Sequence, residues 1–351
     1  MSGCAAGRTM LLLTVDTEST MAGLRPLPPE AMVYGRVDGG TYGIERIMDC
    51  CDAHGLKATF FASTLEGLFH GEDHVRRMCA TVLERGHDAQ LHVHPNWWQD
   101  NFARKALIRY SFDEQLEVLG LAVEAYRKAC GAAPLAHRGG GLWANGDTLR
   151  ALGELGVPID ASVAVGYHDY ELGDGVEPAN VPRRLGGVVE VPVTTFAQMR
   201  VGGWAPRRNY DLNADSLAEL GFVLDRAAAS GAAAVSLLMH SFSFIGRDSE
   251  STQFWPSAVE LTKFERFLDH VAARDDIEVV TFRELAGRLE AEPELLDGPD
   301  FSPTAGLWLT YGRSWERFHT GWKSKTFALG LPLAAAGLAA LVIASVWWLV
   351  S

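Results

Sequence analysis

Gly86-His87-Asp88-Ala89-Gln90-Leu91-His92-Val93-His94-Pro95 is the stretch on which the reading of this chain turns. If Leu91 to His94 ends a buried strand, side chains two apart share a face. His92 and His94 then point one way while Leu91 and Val93 point into apolar packing. Two imidazoles one strand-step apart can reach a single ion, provided that a third ligand, usually a carboxylate, arrives from elsewhere in the fold. The spacing by itself also suits two ordinary, hydrogen-bonded histidines, so the surrounding sequence has to choose.

Outward from this stretch, strand-like and helix-like segments alternate. Met10 to Val15 reads as a buried strand, Lys57 to Ala62 as a second and Asp88 to Val93 as the third, and a fourth ends near His137. Val157 to Ser162, Val188 to Val193, Ala233 to His240 and Glu278 to Thr281 continue the series. Between them Ile44, Ile47, Met48 and Cys51 keep helical spacing, Val75, Met78 and Val82 mark another helix, and Ser111-Phe112-Asp113-Glu114 is a capping box. Helices over Asp215 to Ala229 and Val259 to Ala273 complete the pattern. Such alternation implies an α/β fold with a mainly parallel sheet, and seven or so repeats suggest a closed or nearly closed barrel.

Barrels of this kind build their sites where strands end. Asp16 and Glu18 follow the first strand, His92 and His94 end the third, and Arg138 follows the fourth. Asp160 sits in the fifth, and His240 ends Val235-Ser236-Leu237-Leu238-Met239. Polar residues of these types, distant in sequence yet gathered at one edge, point to a metal-dependent catalytic site.

The set and its order resemble the polysaccharide deacetylase family, the NodB-homology domain of carbohydrate esterases. Thr14-Val15-Asp16-Thr17-Glu18 stands where that family has Thr-Phe-Asp-Asp, and Gly86-His87-Asp88 with His92-Val93-His94 stands for its Gly-His-Glu and paired histidines. Arg138-Gly139-Gly140-Gly141 matches its Arg with a Gly turn, Asp160 in Ile159-Asp160-Ala161-Ser162 its fourth motif, and Leu238-Met239-His240 its last. The resemblance covers residues 8–291 and implies an α/β fold, the distorted (β/α)7 barrel of the NodB-homology type. Two departures stand out: the second carboxylate is a Glu two positions after Asp16, and one residue rather than three separates the histidines.

The resemblance implies a divalent ion, zinc being the expected one, held by Glu18, His92 and His94, with an open position for water. It implies Asp16 as the base, Arg138 as its fixed partner, His240 as the acid that protonates the departing amine, and Asp160 as the residue holding His240. Which of Asp16 and Glu18 touches the metal stays open. Trp97 and Trp98, just past the histidines, suit either a sugar-stacking platform or lid packing. His87 and Asp88 shape the start of the third strand, and His168 and Asp169 belong to a solvated loop.

The net charge of −13 argues against a nucleic-acid partner. The five cysteines form no Cys-x-x-Cys pair, which fits a reducing compartment. Residues 326–350 carry no charge over 25 positions, long enough for a transmembrane helix. Ahead of them, residues 300–325 read as a juxtamembrane amphipathic helix, with Trp308, Tyr311, Trp315, Phe318 and Trp322 on one face. Arg313, Arg317, Lys323 and Lys325 add positive charge there, so a membrane-anchored enzyme with its catalytic domain facing the cytoplasm is expected. The function that fits is removal of an N-acetyl group from an amino sugar in a glycan or lipid-linked intermediate. A lipid-linked-sugar deformylase and a non-catalytic, membrane-tethered carbohydrate-binding protein are the alternatives.

Overall fold

A computed structural model describes residues 8–100, 106–173, 175–316 and 329–330. The chain opens with β1 (Thr9–Thr17), all nine residues of which are buried. There follow α1 (Ile44–Ala53), β2 (Thr59–Ser63), α2 (Glu72–Leu83), β3 (Asp88–Val93), α3 (Phe112–Cys130), β4 (Ala136–Gly139), α4 (Gly146–Glu154) and β5 (Ile159–Asp160). The chain continues through β6 (Arg183–Leu185), β7 (Val188–Glu190), α5 (Leu217–Ser230), β8 (Ala234–His240), α6 (Ala258–Ala272), β9 (Ile277–Val279), α7 (Phe282–Ala291) and α8 (Leu307–Glu316).

The sheet runs β6-β7-β5-β4-β3-β2-β1-β8, parallel throughout except for the β6–β7 hairpin. β8 lies along β1 from Met10 to Asp16, so β9 and β2 share the other edge, β9 at Thr9–Leu11 and β2 at Thr14–Thr17. The curled sheet is therefore not a closed ladder. Its gap is bridged by single bonds, from Thr194 N to Ser236 O (3.3 Å) and from Leu212 N to Leu238 O (3.0 Å). Because side chains alternate across a strand, Leu12, Phe61, Ala136, Ile159 and Ala161 pack together on the inner face. Leu13, Val15 and Phe60 meet the helices on one flank, and Leu91 and Val93 on the other. The expected capping box at Ser111 is present: Glu114 N–H donates to its Oγ (3.3 Å), and its own N–H donates to Glu114 Oε2 (2.8 Å).

At the start of β3, His87 and Asp88 carry opposed acid–base effects. His87 Nδ1 accepts from Ala58 N–H (3.2 Å), and burial followed by the nearby Lys57 charge depresses its pKa to about 4. Burial raises Asp88 to about 6 against the pull of Arg283. His87 thus makes the native state lose stability as pH falls from about 6.5 towards 4, because the unfolded state then binds more protons. Asp88 does the reverse, costing stability as pH rises from about 4 to 6. His87→Gln removes the first contribution and leaves that of Asp88 in place. Its urea midpoint should fall with rising pH across this window more steeply than that of the unmodified protein, and equal slopes would show that His87 does not titrate there.

α8 covers part of the segment expected to lie in a headgroup plane, and one of its basic residues faces inward. Arg313 is buried, donating to Glu219 Oε1 and Gln198 Oε1 (2.6 Å each), while Thr310 Oγ1 donates to Gln198 O (2.9 Å). The buried Glu219 carboxylate has to be paired, and this outweighs the attraction of a guanidinium to water. Trp308 and Trp315 stay exposed, whereas Phe318 and Trp322 lie outside the described residues. No helix among the described residues is long and apolar enough to cross a membrane, and 326–350 falls outside them apart from Leu329 and Gly330.

Candidate metal centre

β1 extends its alternation beyond its end, so that Thr14, Asp16 and Glu18 share the inner face with His92 of β3 and Arg138 of β4. Glu18 Oε2 lies 2.6 Å from His94 Nε2 and 3.6 Å from His92 Nε2. The two rings meet edge to face at 4.9 Å. Burial would raise the Glu18 pKa, but the charge and hydrogen bond of His94 outweigh it and hold the carboxyl well below its usual range. His94 is raised in turn: burial opposes its charged form, and Glu18 overrides that.

His92 Nδ1 sits 2.9 Å from Arg138 O, and against a carbonyl it can only donate. Nε2 is thereby left with its lone pair, buried and without a hydrogen-bond partner among the described residues. Glu18, His92 and His94 each offer one ligand atom within 4.8 Å of the others. An orphaned imidazole nitrogen beside a second imidazole and a carboxylate fits a divalent cation of the zinc type. Gly140 makes room for this arrangement, since a Cβ there would stand 2.3 Å from His94 Nδ1.

Arg138 is fully buried in the adjoining position. Its NH1 donates to Asp16 Oδ1 (2.8 Å) and Thr14 Oγ1 (2.9 Å), its Nε donates to Ala161 O (3.0 Å), and its guanidinium lies 4.2 Å from the Phe61 ring. His240 is the register partner of Asp16 across the β1–β8 pair, at the same edge. Its ring tilts against Phe242 at 4.9 Å. Asp16 with Arg138, the candidate ligands and His240 thus lie at the same end of the strands.

This arrangement can be set beside known proteins. No family model matches the sequence, and no curated protein does either. Among solved structures, one from Mycobacterium smegmatis, assigned provisionally as a polysaccharide deacetylase, superposes with a TM-score of 0.53 at 16% identity, covering 84% of this chain and 94% of that one. The chain has the polysaccharide-deacetylase fold. PuuE allantoinase superposes similarly, with a TM-score of 0.52, 16% identity, and 82% and 92% of the two chains covered. The same polysaccharide-deacetylase fold therefore carries more than one activity by name, and the site has to choose between them.

Asp160 is the expected site residue that the structure does not bring in. Ile159 and Ala161 face inward, so Asp160 faces out, where His137 Nδ1 lies 2.7 Å from its Oδ1 and Ser162 Oγ donates to it (2.8 Å). Burial and the Asp160 charge push neighbouring Glu190 well above the carboxylate range, making it the protonated member of the pair. Asp160 consequently cannot hold His240. It steadies the Gly139 turn instead, because Gly139 N–H donates to Ser162 Oγ (2.8 Å). Trp97 and Trp98 are buried, which settles them as packing rather than a sugar platform. His168 is not loosely solvated: it stacks on Trp143 with centroids 3.4 Å apart, and its Nε2 donates to Gly141 O (2.8 Å).

Glu66 was missed. It is fully buried, accepts from Ser19 N–H (2.8 Å) directly beside Glu18, and its charge helps to raise His94. His74 Nε2 lies 3.3 Å from its other oxygen. The rule of polar residues at strand ends contained the signal, because β2 was the one early strand left without a partner residue.

Proposed function

We propose that this protein is a metal-dependent hydrolase that removes an N-acetyl group from an amino sugar, with a lipid-linked glycan at the cytoplasmic membrane face as its substrate. The observation that carries the chemistry is the buried, unpartnered Nε2 of His92 facing Glu18 and His94. Glu18, His92 and His94 would hold a divalent ion, which would supply Lewis-acid polarisation of the amide carbonyl and acidify a water. Asp16 takes the proton from that water as its oxygen joins the carbonyl carbon, and Arg138 fixes the carboxylate that receives it. His240 gives a proton to the sugar nitrogen as the C–N bond breaks, so that acetate and a free amine leave. The uncharged stretch at 326–350 supports the lipid-linked substrate, since an anchored enzyme meets such molecules within the bilayer plane.

Full-length protein should carry one tightly bound divalent ion per chain by elemental analysis and release acetate from a lipid-linked N-acetylhexosamine. Asp16→Asn should lower kcat by about 10²–10⁴-fold with the ion retained. His240→Ala should lower kcat far more than it changes KM. A chain that purifies without stoichiometric metal and does not acquire it would overturn the reading. Formate released from an N-formyl sugar, with no acetate from the N-acetyl one, would move it to deformylation.

A further inference from the structure

We infer that the catalytic mouth itself rests against a lipid bilayer, with the apolar tips of the surrounding loops making the contact. The inference rests on the membrane reading of 326–350 but not on the chemistry assigned to the site. Leu24, Tyr167, Val201, Trp204, Trp255 and Val259 are between 44 and 72% exposed. All six lie beyond the C-terminal ends of parallel strands, in the stretches that follow β1, β5, β7 and β8. The opposite edge differs. Among the described residues, the connections leading into β2, β3, β4, β5, β8 and β9 expose no large apolar side chain.

The loops are joined in two pairs. Arg25 of the first donates to the carbonyls of Glu250 and Ser251 beyond β8 (3.0 and 2.9 Å). Arg207, in the hairpin that carries Val201 and Trp204, donates to Val165 O beside Tyr167 (3.1 Å). The hairpin tip, Val201-Gly202-Gly203-Trp204, is closed by Val201 N to Trp204 O (2.9 Å) and Trp204 N to Val201 O (3.1 Å). Those two bonds satisfy the Val201 and Trp204 backbone groups, so their side chains can enter the interfacial region of a bilayer, where Arg200 on the exposed shoulder suits the headgroups. A sugar-stacking rim would explain the aromatic residues but not Leu24, Val201 and Val259. A bilayer interface takes aliphatic and aromatic side chains alike.

The chain itself points to the same occupant. α8 ends at Glu316, which borders one depression with Leu217, Ala258 and Val259 on this rim. Residues 317–325 then hold Arg317, Lys323 and Lys325, and the uncharged stretch begins at Thr326. Nine residues reach at most about 30 Å, so the mouth is the face the tether holds close.

The test uses the full chain in nanodiscs of phosphatidylcholine, or of the same lipid brominated on its acyl chains, with tryptophan emission as readout. The chain has 10 tryptophans. If Trp204 and Trp255 touch lipid, Trp204→Phe with Trp255→Phe lowers the brominated-lipid-quenched fraction of emission. If they face water, the same double variant leaves that fraction unchanged or raises it, which would overturn the inference. Quenching absent from both proteins would overturn the membrane reading and this inference with it. Neither metal content nor turnover enters the measurement, so the hydrolase reading fails or stands separately.

Discussion

Arg138→Met should lower the stability of the fold by about 3–5 kcal/mol and abolish turnover. The side chain is wholly buried, and methionine fills much of its volume, so the loss does not come from a cavity. It comes from Asp16, whose carboxylate would be left in a dry interior without its guanidinium, and from Thr14 Oγ1 and Ala161 O, which lose their donors. Urea denaturation at neutral pH measures the change. A companion variant separates charge from packing: Asp16→Leu combined with Arg138→Met should recover most of the stability, because an apolar pair replaces an ion pair at little cost, yet remain inactive. A single-variant loss below about 1 kcal/mol, the range of exposed pairs, would mean that Arg138 is not the fixed partner of the base.

Gly140→Ala should weaken metal binding by about 10–100-fold, the usual penalty for disturbing a ligand's surroundings. The added methyl would lie 2.3 Å from Nδ1 and 2.4 Å from Cγ and Cε1 of His94, so the ring must turn away from Glu18. The backbone at Gly140 does not occupy the left-handed region, and the effect is therefore steric rather than conformational. His94 is only partly buried and has somewhere to go, which limits the stability loss of the metal-free chain to about 1–3 kcal/mol. Competition against a chromophoric chelator reads the affinity. An unchanged constant would remove His94 from the ligand set.

Much of this architecture was legible because β3 alternates polar and apolar residues, while β1 and β8 are apolar runs that give way to Asp16 and His240. Asp16, Glu18, His92 and His240 could be placed by counting along those strands. Asp160 could not. Its strand spans two residues, Ile159–Asp160, and so short a ladder gives no parity to say which face a carboxylate takes. Position in a motif suggested the mouth, while the buried Glu190 and His137 on the other side claimed the side chain. Glu66 lies in a single helical turn after β2, where strand counting no longer applies. Arg313 shows a different limit: spacing predicted an amphipathic helix, but whether a basic residue faces water or a buried acid depends on Glu219, 94 positions away.

The shared edge of β1 also bears on when the site can form. The strand that carries Asp16 must wait for a neighbour near residue 59, another near 234 and a third near 277. Parallel pairings between such distant segments are slow, because loop closure has to precede any gain from contact. The two carboxylates are made first during synthesis but come into place among the last. A newly made chain should therefore fix the stretch that carries Asp16 and Glu18 only once β8 has docked, since His240 is the register partner of Asp16 and Glu18 N–H donates to Ser241 Oγ (3.3 Å).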